Sequence, residues 1–386
     1  MALFASRTAL AWKSFSHQKL AMLGAVGGVA FAVVLMFVEM GFLNGMFDSH
    51  THVVEEMNAD LLLVNVDKAA VLPKLPFDRR HLHTARGVAG VAGVSALRID
   101  ELRSMYKNLA TGEDYPILVY GCDPDVPPFR SPGVAENLSR LKVLDTVLVD
   151  DRSKGFYGAF APGSEVEVFG RRLRVVGLFS LGPDFRADGN ALVSERTYLD
   201  MYAGAGGPET ELVEFGLIRL AAGADRDAVQ RSLVERLPPA VSVLTPDELS
   251  SRIRRFWGQS KPVGFVFGLG LAVGFLIGMT ICYQILYVDI SNHLPQYATL
   301  KAMGYGNDYL LGVVLRQAVY LAVMGFALGV VVSRAAYAAV QYYTQVPMFF
   351  TPVRIGIVAV LTLAMCLVSG FIAIGKALEA DPADVF

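Results

Sequence analysis

Four long apolar segments divide the chain, and each is long enough to cross a lipid bilayer as a helix. A bilayer core requires about 20 consecutive apolar residues in helical form. The third segment contains Arg316, about two turns from its start, where the side chain can extend to the membrane surface. The segments lie at 20–46, 261–288, 309–334 and 355–376. The pattern therefore predicts an α-helical membrane protein with four transmembrane helices.

The first apolar segment is interpreted as a retained span, although a cleaved signal peptide is the alternative. It is longer than an ordinary signal-peptide core, and Glu39-Met40-Gly41 stands where a small-residue cleavage site would be needed. Glu39 is interpreted as marking the outer end of the span, with pairing to a polar group as the alternative.

Basic residues near the N-terminus predict the orientation. Residues 1–19 contain Arg7, Lys13 and Lys19 and no acidic residue. Such a flank favours the cytoplasmic side, and an even number of spans returns the C-terminus to that side. The predicted cytoplasmic segments are 1–19, 289–308 and 377–386, and the predicted extracytoplasmic segments are 47–260 and 335–354.

Glycines recur at four-residue spacings on the second and third spans. Small residues at this spacing let helices approach closely in lipid. The sequence leaves open whether they pack helices within one subunit or between two. The glycines are Gly264, Gly268, Gly270, Gly274 and Gly278 on the second span and Gly325 and Gly329 on the third.

The large insert at 47–260 alternates short β-type segments with amphipathic helices, which predicts an extracytoplasmic α/β domain. Gly170-Arg171-Arg172 indicates a hairpin, Asp225 can cap one helix, and the capping box Thr245-Pro246-Asp247-Glu248 begins another that leads towards the second span. The predicted strands are 59–66, 94–99, 116–121, 146–149, 165–169, 173–178, 190–194 and 214–220.

The polar stretch between the second and third spans has the pattern of a short surface helix. Pro295 suits a first helical turn, and Gly304 suits the left-handed residue that ends a helix. Tyr297, Leu300 and Met303 recur three residues apart and would form an apolar ridge next to Lys301. A soluble partner could grip such a helix; a plain connector at the membrane surface is the alternative.

Composition adds little chemistry to this picture. The chain has 386 residues, of which 53% are hydrophobic and 18% charged, with a net charge of −2. The absence of a basic excess argues against nucleic-acid binding. Cys122, Cys282 and Cys366 give no redox conclusion, because only the first lies outside the apolar segments.

Motifs for catalysis or metal binding are absent or incomplete. Gly370 to Lys376 has phosphate-loop spacing, but Ala377 replaces the magnesium-binding Ser or Thr, and the stretch ends an apolar span. The pairs His50/His52 and His81/His83 have no adjoining third ligand and are interpreted as surface histidines. The sequence therefore predicts no catalytic residue, no metal site and no cofactor in this chain.

Several stretches resemble the FtsX-like permeases of MacB-type ABC transporters, and the resemblance covers the whole chain. Residues 297–304, YATLKAMG, resemble the family's E-x-x-x-L-K-A-x-G coupling stretch. Three further stretches resemble the DevC branch of this family: residues 380–386, Ala11-Trp12, and the F-x-x-x-G-F-x-x-x-M-F-D pattern that ends at Asp48. Pro295-Gln296 departs from the family's Arg-Glu, and the resemblance therefore implies that a salt bridge to the ATPase is missing there or replaced by a hydrogen bond.

The resemblance implies a MacB-like periplasmic core domain between helices 1 and 2 of a homodimeric subunit in the bacterial inner membrane. It implies a separate ABC ATPase that holds ATP and magnesium, a periplasmic membrane-fusion protein and a TolC-like outer-membrane channel. The cargo would be a lipid, a glycolipid or another hydrophobic molecule. The implied ATPase-coupling residues are Pro295, Gln296, Tyr297, Leu300, Lys301, Met303 and Gly304.

Two other functions fit the same sequence. A lipoprotein-release permease would hand its cargo to a periplasmic carrier, and a non-transporting FtsX-like activator would switch on a cell-wall hydrolase. A membrane-bound enzyme is the least favoured class, because the sequence contains no recognisable catalytic motif.

Overall fold

The chain forms two compact units, a helical unit and an α/β unit. The computed structural model describes residues 19–71, 74–100, 104–183, 187–202, 208–259, 262–344 and 348–379. The helical unit combines Met1–Gly45 with Pro262–Thr344 and Met348–Phe386, and the α/β unit comprises Met46–Lys261 and Gln345–Pro347.

The two units use different secondary structure. The α-helices of the described residues are α1 (Lys19–Glu56), α2 (Arg80–Arg86), α3 (Val134–Asn137), α4 (Glu195–Tyr202), α5 (Arg226–Arg236), α6 (Pro246–Gln259), α7 (Pro262–Asn292), α8 (Leu294–Ala302), α9 (Asn307–Thr344) and α10 (Pro352–Glu379). The strands are β1 (Leu61–Asn65), β2 (Phe77–Asp78), β3 (Val91–Asp100), β4 (Met105–Lys107), β5 (Asp114–Pro116), β6 (Leu118–Cys122), β7 (Thr146–Asp150), β8 (Glu165–Val168), β9 (Arg171–Phe179), β10 (Asn190–Ser194), β11 (Leu212–Val213), β12 (Phe215–Leu220) and β13 (Val241–Leu244).

Within the described ranges, α1, α7, α9 and α10 have the length and hydropathy needed to cross a bilayer. This confirms the predicted fold class, with an α/β domain between the first and second apolar helices. One difference is the length of α9, which continues to Thr344, whereas the sequence predicted a loop from 335. Alanine has the highest helix propensity of any residue, and the four alanines between 335 and 339 therefore favour continuation of the helix.

The glycines of α9 lie against valines of α1. A Cβ atom on Gly325 would lie 2.5 Å from Cγ1 of Val29, and one on Gly329 would lie 2.5 Å from Cγ1 of Val33. Real Cβ atoms do not approach other atoms so closely, so both positions require glycine in this packing. The two helices pack closely because the small residues of α9 lie against the branched residues of α1.

Farther along the same helix pair, the glycine belongs to α1 and the large side chain to α9. The Tyr337 hydroxyl of α9 donates to the Phe37 carbonyl of α1, and the Tyr337 ring lies against Gly41. A Cβ atom at Gly41 would overlap that ring. Residue numbers rise together on the two helices, so α1 and α9 run parallel.

The opposite relation holds between α1 and α7. Residue numbers fall on α1 as they rise on α7, so these helices run antiparallel. The close neighbours are Gly270 with Glu39, Gly274 with Leu35 and Met36, and Gly278 with Ala32 and Met365. By contrast, a Cβ at Gly268 would meet no atom of the described residues within 4 Å, and Gly264 is half-buried.

The α/β unit is built on a mixed sheet. Among the described residues its strand order is β13-β1-β12-β3-β6-β10-β7-β9-β8-β4-β5, and β2 pairs separately with β11. The β6/β10 and β7/β9 pairs are parallel, and the other pairs are antiparallel. The predicted strands are confirmed as members of this sheet, but the turn between β8 and β9 is Phe169-Gly170 rather than Gly170-Arg171-Arg172. Both turn residues have positive φ, as a two-residue hairpin turn of type I′ requires.

One face of the sheet carries a single hydrophobic core, to which α1 contributes Val53 and Val54 and α6 contributes Leu249 and Ile253. The other face carries two cores, one beneath α2 and α5 and one beneath α4. Each helix of the unit therefore buries an apolar face against the sheet, as an α/β layer arrangement requires.

Both predicted helix caps of this unit are present. The Asp225 carboxylate accepts from the backbone N–H groups of residues 227 and 228. The Thr245 hydroxyl accepts from the Glu248 N–H at 3.1 Å, and the Glu248 carboxylate accepts from the Thr245 N–H at 2.7 Å. This reciprocal pair is the capping box that starts α6.

A polar contact joins α6 to the part of α1 that belongs to the α/β unit. The Arg254 guanidinium donates to Asp48 at 3.0 Å and to the Thr51 hydroxyl at 3.2 Å. The His50 and Trp257 rings lie 4.4 Å apart between centroids. These contacts fix α6 to α1 within this unit, next to the core that both helices share. Residues 260–261, which follow α6, lie outside the described residues.

The α1/α9 packing predicts an unusual response to Gly329→Ala. Helix propensity alone would favour alanine by about 1 kcal/mol, but the contact with Val33 should reverse the sign. We expect a lower melting temperature in detergent and partial recovery in Gly329→Ala/Val33→Ala. Gly24→Ala is the control, because its Cβ would meet no described atom within 4 Å. A Gly329→Ala protein as stable as Gly24→Ala would contradict this packing.

Candidate functional site

The candidate site is the short helix α8 between the long helices α7 and α9. His293 alone separates α7 from α8. Its N–H donates to the Asp289 carbonyl at 3.2 Å, and its own carbonyl accepts from the N–H groups of Gln296 and Tyr297 at 3.0 and 3.1 Å. Pro295 lies in the first turn, as predicted. The junction is therefore hydrogen-bonded on both sides and contains no loop.

The other end of α8 closes with a glycine turn. Gly304 has φ of 89°, a left-handed conformation that glycine adopts without steric cost. Its N–H donates to the Lys301 carbonyl at 2.9 Å, and the Tyr305 N–H donates to the Leu300 carbonyl at 3.1 Å. These two bonds form a Schellman motif, and they confirm the helix end that Gly304 predicted.

The predicted coupling residues differ in exposure. Tyr297 is buried, with 6% of its surface accessible, whereas Met303 is 62% exposed. Pro295, Gln296 and Gly304 are exposed, and Leu300 and Lys301 are half-buried. The apolar residues of α8 thus do not form one exposed ridge: Tyr297 anchors the helix, and Met303 points outward. Burial, together with nearby Asp289, raises the pKa of the Tyr297 phenol, so the hydroxyl stays neutral.

An open concavity lies beside α8, with a volume of about 280 Å³. Its walls are mainly apolar, which suits an apolar side chain from a partner. Besides the α8 residues it includes Val313 of α9, which the sequence did not indicate. The lining residues are His293, Gln296, Tyr297, Thr299, Leu300, Met303 and Val313.

A polar cluster lies at the junction of α7 and α8, and sequence analysis did not identify it. The Gln317 side chain of α9 donates to the Asp289 carboxylate of α7 at 3.1 Å. Nδ1 of His293 lies 3.4 Å from the same carboxylate and 2.8 Å from the Asp289 carbonyl. The only signals in the sequence were Asp289, which directly follows the second apolar segment, and Gln317, a polar residue inside the third. Arg316, which was noted, is half-buried one residue earlier.

The other candidate residues do not form sites. His50 and His52 lie on α1, where Nδ1 of His50 contacts the Met46 carbonyl at 2.7 Å and Nε2 of His52 contacts the Leu181 carbonyl at 2.9 Å. His81 and His83 lie on α2. Within the described residues, no cluster of three potential metal ligands occurs. The stretch 370–376 is part of α10, so it lacks the loop that would cradle a phosphate.

Comparison with known families identifies the class of the protein. The family model described as MacB-like periplasmic core domain matches residues 20–236, and the one described as FtsX-like permease C-terminal matches residues 264–382. The chain therefore belongs to the FtsX-like permeases of MacB-type ABC transporters. Permeases of this family work with ABC ATPase partners. The predicted family is confirmed.

Two solved structures resemble part of the chain. The periplasmic region of MacB from Actinobacillus actinomycetemcomitans is 13% identical over 51% of this chain and 94% of that chain, with a TM-score of 0.37. The extracellular domain of the noncanonic ABC-type transporter YknZ from Gram-positive bacteria is 15% identical over 48% of this chain and 99% of that chain, with a TM-score of 0.34. The comparison with curated proteins found no match.

The Schellman motif predicts that Gly304→Ala loosens α8. A side chain in the left-handed region costs roughly 1–2 kcal/mol, so amide hydrogen exchange across 294–305 should accelerate about tenfold. Gly306→Ala is the matched control, because Gly306 does not have a positive φ and a Cβ there would meet nothing within 4 Å of the described structure. Equal exchange in the two variants would exclude the motif.

Proposed function

We propose that this chain is the permease subunit of an ATP-driven tripartite exporter in which a separate ABC ATPase grips α8. The observation that carries the proposal is the junction at His293. Because one hydrogen-bonded residue joins α8 to α7, a push on α8 acts on a long apolar helix without passing through a flexible loop.

The surface of α8 supports a protein partner. Met303, Pro295 and Gln296 are exposed, and the concavity next to them offers apolar walls to an inserted side chain. Lys301, half-buried on the same helix, adds a positive charge. In this role Tyr297 holds α8 in place from the buried side, whereas Met303 and Leu300 contact the ATPase.

The helix directions support the proposed orientation. α1 and α9 run parallel and α7 runs antiparallel to them, so the start of α1 lies at the same end of the helical unit as α8. A cytoplasmic N-terminus, favoured by its basic residues, then places α8 in the cytoplasm with the C-terminus. ATP and magnesium would be bound by the ATPase, and this chain would carry motion rather than chemistry.

The family and the α/β unit support a proposal for the assembly around the permease. We propose a homodimer in the bacterial inner membrane, whose outer domains work with a periplasmic membrane-fusion protein and a TolC-like channel, as in the DevC branch. The cargo would be a lipid, a glycolipid or another hydrophobic molecule. Co-purification of a periplasmic carrier would instead support lipoprotein release, and that of a cell-wall hydrolase would support the activator function.

The test of this proposal is Leu300→Asp. A carboxylate beside the apolar concavity should disfavour an inserted apolar side chain, so recovery of the ATPase with the tagged chain should fall at least about tenfold, equivalent to about 1.4 kcal/mol. ATP hydrolysis stimulated by the permease and transport should be lost, with membrane insertion unchanged.

Asn307→Asp is the charge-matched control, since Asn307 is exposed and begins α9, where an acidic residue is favourable. If Leu300→Asp binds the ATPase and transports as well as this control does, α8 has no part in coupling.

A further inference from the structure

We propose that Asp289, His293 and Gln317 form a rigid joint, the coupling joint, that passes a displacement of α8 to α7 and α9 together. The inference rests on the proposed function of α8. It assigns a positioning role to Asp289 and Gln317, which do not line the concavity, and to His293, which links them to the concavity that it helps to line.

The joint connects α7, the junction residue His293 and α9 through one carboxylate. Asp289 is in the last turn of α7, and its Oδ2 accepts from the Gln317 amide of α9 at 3.1 Å. Its Oδ1 lies 3.4 Å from Nδ1 of His293, the residue that separates α7 from α8. Since Nδ1 also lies 2.8 Å from the Asp289 carbonyl, which can only accept, Nδ1 carries the hydrogen.

The chemistry of Gln317 argues against a role in packing alone. Gln317 is fully buried, and its Oε1 has no hydrogen-bond partner among the described residues. An apolar side chain of similar size would remove that unsatisfied atom and fill the same volume. What leucine would not supply is the hydrogen bond to Asp289, which is therefore the distinguishing property of glutamine at this position.

The chain connection from α8 to α7 is stiffer than the one from α8 to α9. On the α7 side, one hydrogen-bonded residue intervenes; on the α9 side, the chain passes through the turn that contains Gly304 and Gly306. Gln317 lies about 15 Å along α9 from its first residue. The hydrogen bond thus holds α9 to the end of α7 directly and bypasses the glycine turn.

The experiment compares two cysteine reporters in the full chain, reconstituted in lipid nanodiscs with its ATPase. Thr299→Cys, which lies in the lining of the concavity, reports on the engagement of α8 by the ATPase. Tyr342→Cys, 80% exposed, reports on α9 about 50 Å from the start of that helix. The native cysteines are buried and give little background labelling. The maleimide labelling rate of each reporter is measured with and without ATP and vanadate.

We expect ATP and vanadate to change both labelling rates by about tenfold in the otherwise unmodified chain. In Gln317→Leu the Thr299 reporter should respond fully, and ATPase binding should stay within about twofold, while the Tyr342 reporter loses its response. Gln341→Leu, the same change at an exposed position of α9, should leave both responses intact.

A second pair of variants serves if Gln317→Leu does not fold. Asp289→Asn keeps an oxygen that accepts from Gln317 and should keep the Tyr342 response, whereas Asp289→Leu should lose it. A loss caused by instability alone would instead affect both reporters together.

Two results separate failure of the joint from failure of the proposed function. A full response of the Tyr342→Cys reporter in Gln317→Leu or Asp289→Leu would overturn the joint and leave the proposed function of α8 intact. The same conclusion would follow if only the Thr299→Cys reporter responded in the otherwise unmodified chain. If neither reporter of the unmodified chain responds and the ATPase does not bind, the proposed function fails, and the joint fails with it.

Discussion

Close packing of α1 against the glycines of α7 and α9 is the constraint on which the helical unit depends. Lipid chains are as apolar as the helices, so the hydrophobic effect does little to hold helices together inside a membrane. Association then depends on van der Waals contact, which the absent side chains of Gly278, Gly325 and Gly329 make possible. Since all three contact α1, this helix sets the positions of its neighbours.

The same helix also contributes to the α/β unit. Val53 and Val54 belong to its main core, and Asp48 pairs with Arg254 of α6. α1 is one uninterrupted helix from Lys19 to Glu56. A continuous helix transmits displacement along its axis better than a glycine-rich linker would. The continuity of this helix supports the proposed role of the chain in transmitting motion.

Features with local causes were predictable from the sequence. Residues only a few positions apart determine the capping box at Thr245, the Gly304 turn and the apolar helices. These features can therefore be predicted from the local sequence, without knowledge of the fold. The family resemblance likewise depended on short stretches such as 297–304.

Features with distant causes were not predictable. Gln317 and Asp289 meet only because α7 and α9 pack side by side, and nothing near either residue indicates the other. The burial of Tyr297 has the same origin, since periodicity alone does not show which face of α8 is covered. The helical residues 335–344 were missed because charged Arg334 suggested a membrane boundary, which does not end a helix.

The central claim of the proposed function is that α8 contacts the ATPase in the cytoplasm, whereas the α/β unit lies outside it. Labelling intact spheroplasts with a membrane-impermeant maleimide tests it most directly, using Met303→Cys and Arg172→Cys, both at exposed positions. The account predicts that Arg172→Cys reacts in intact spheroplasts, whereas Met303→Cys reacts only after permeabilisation. Reaction of both cysteines in intact spheroplasts would contradict it.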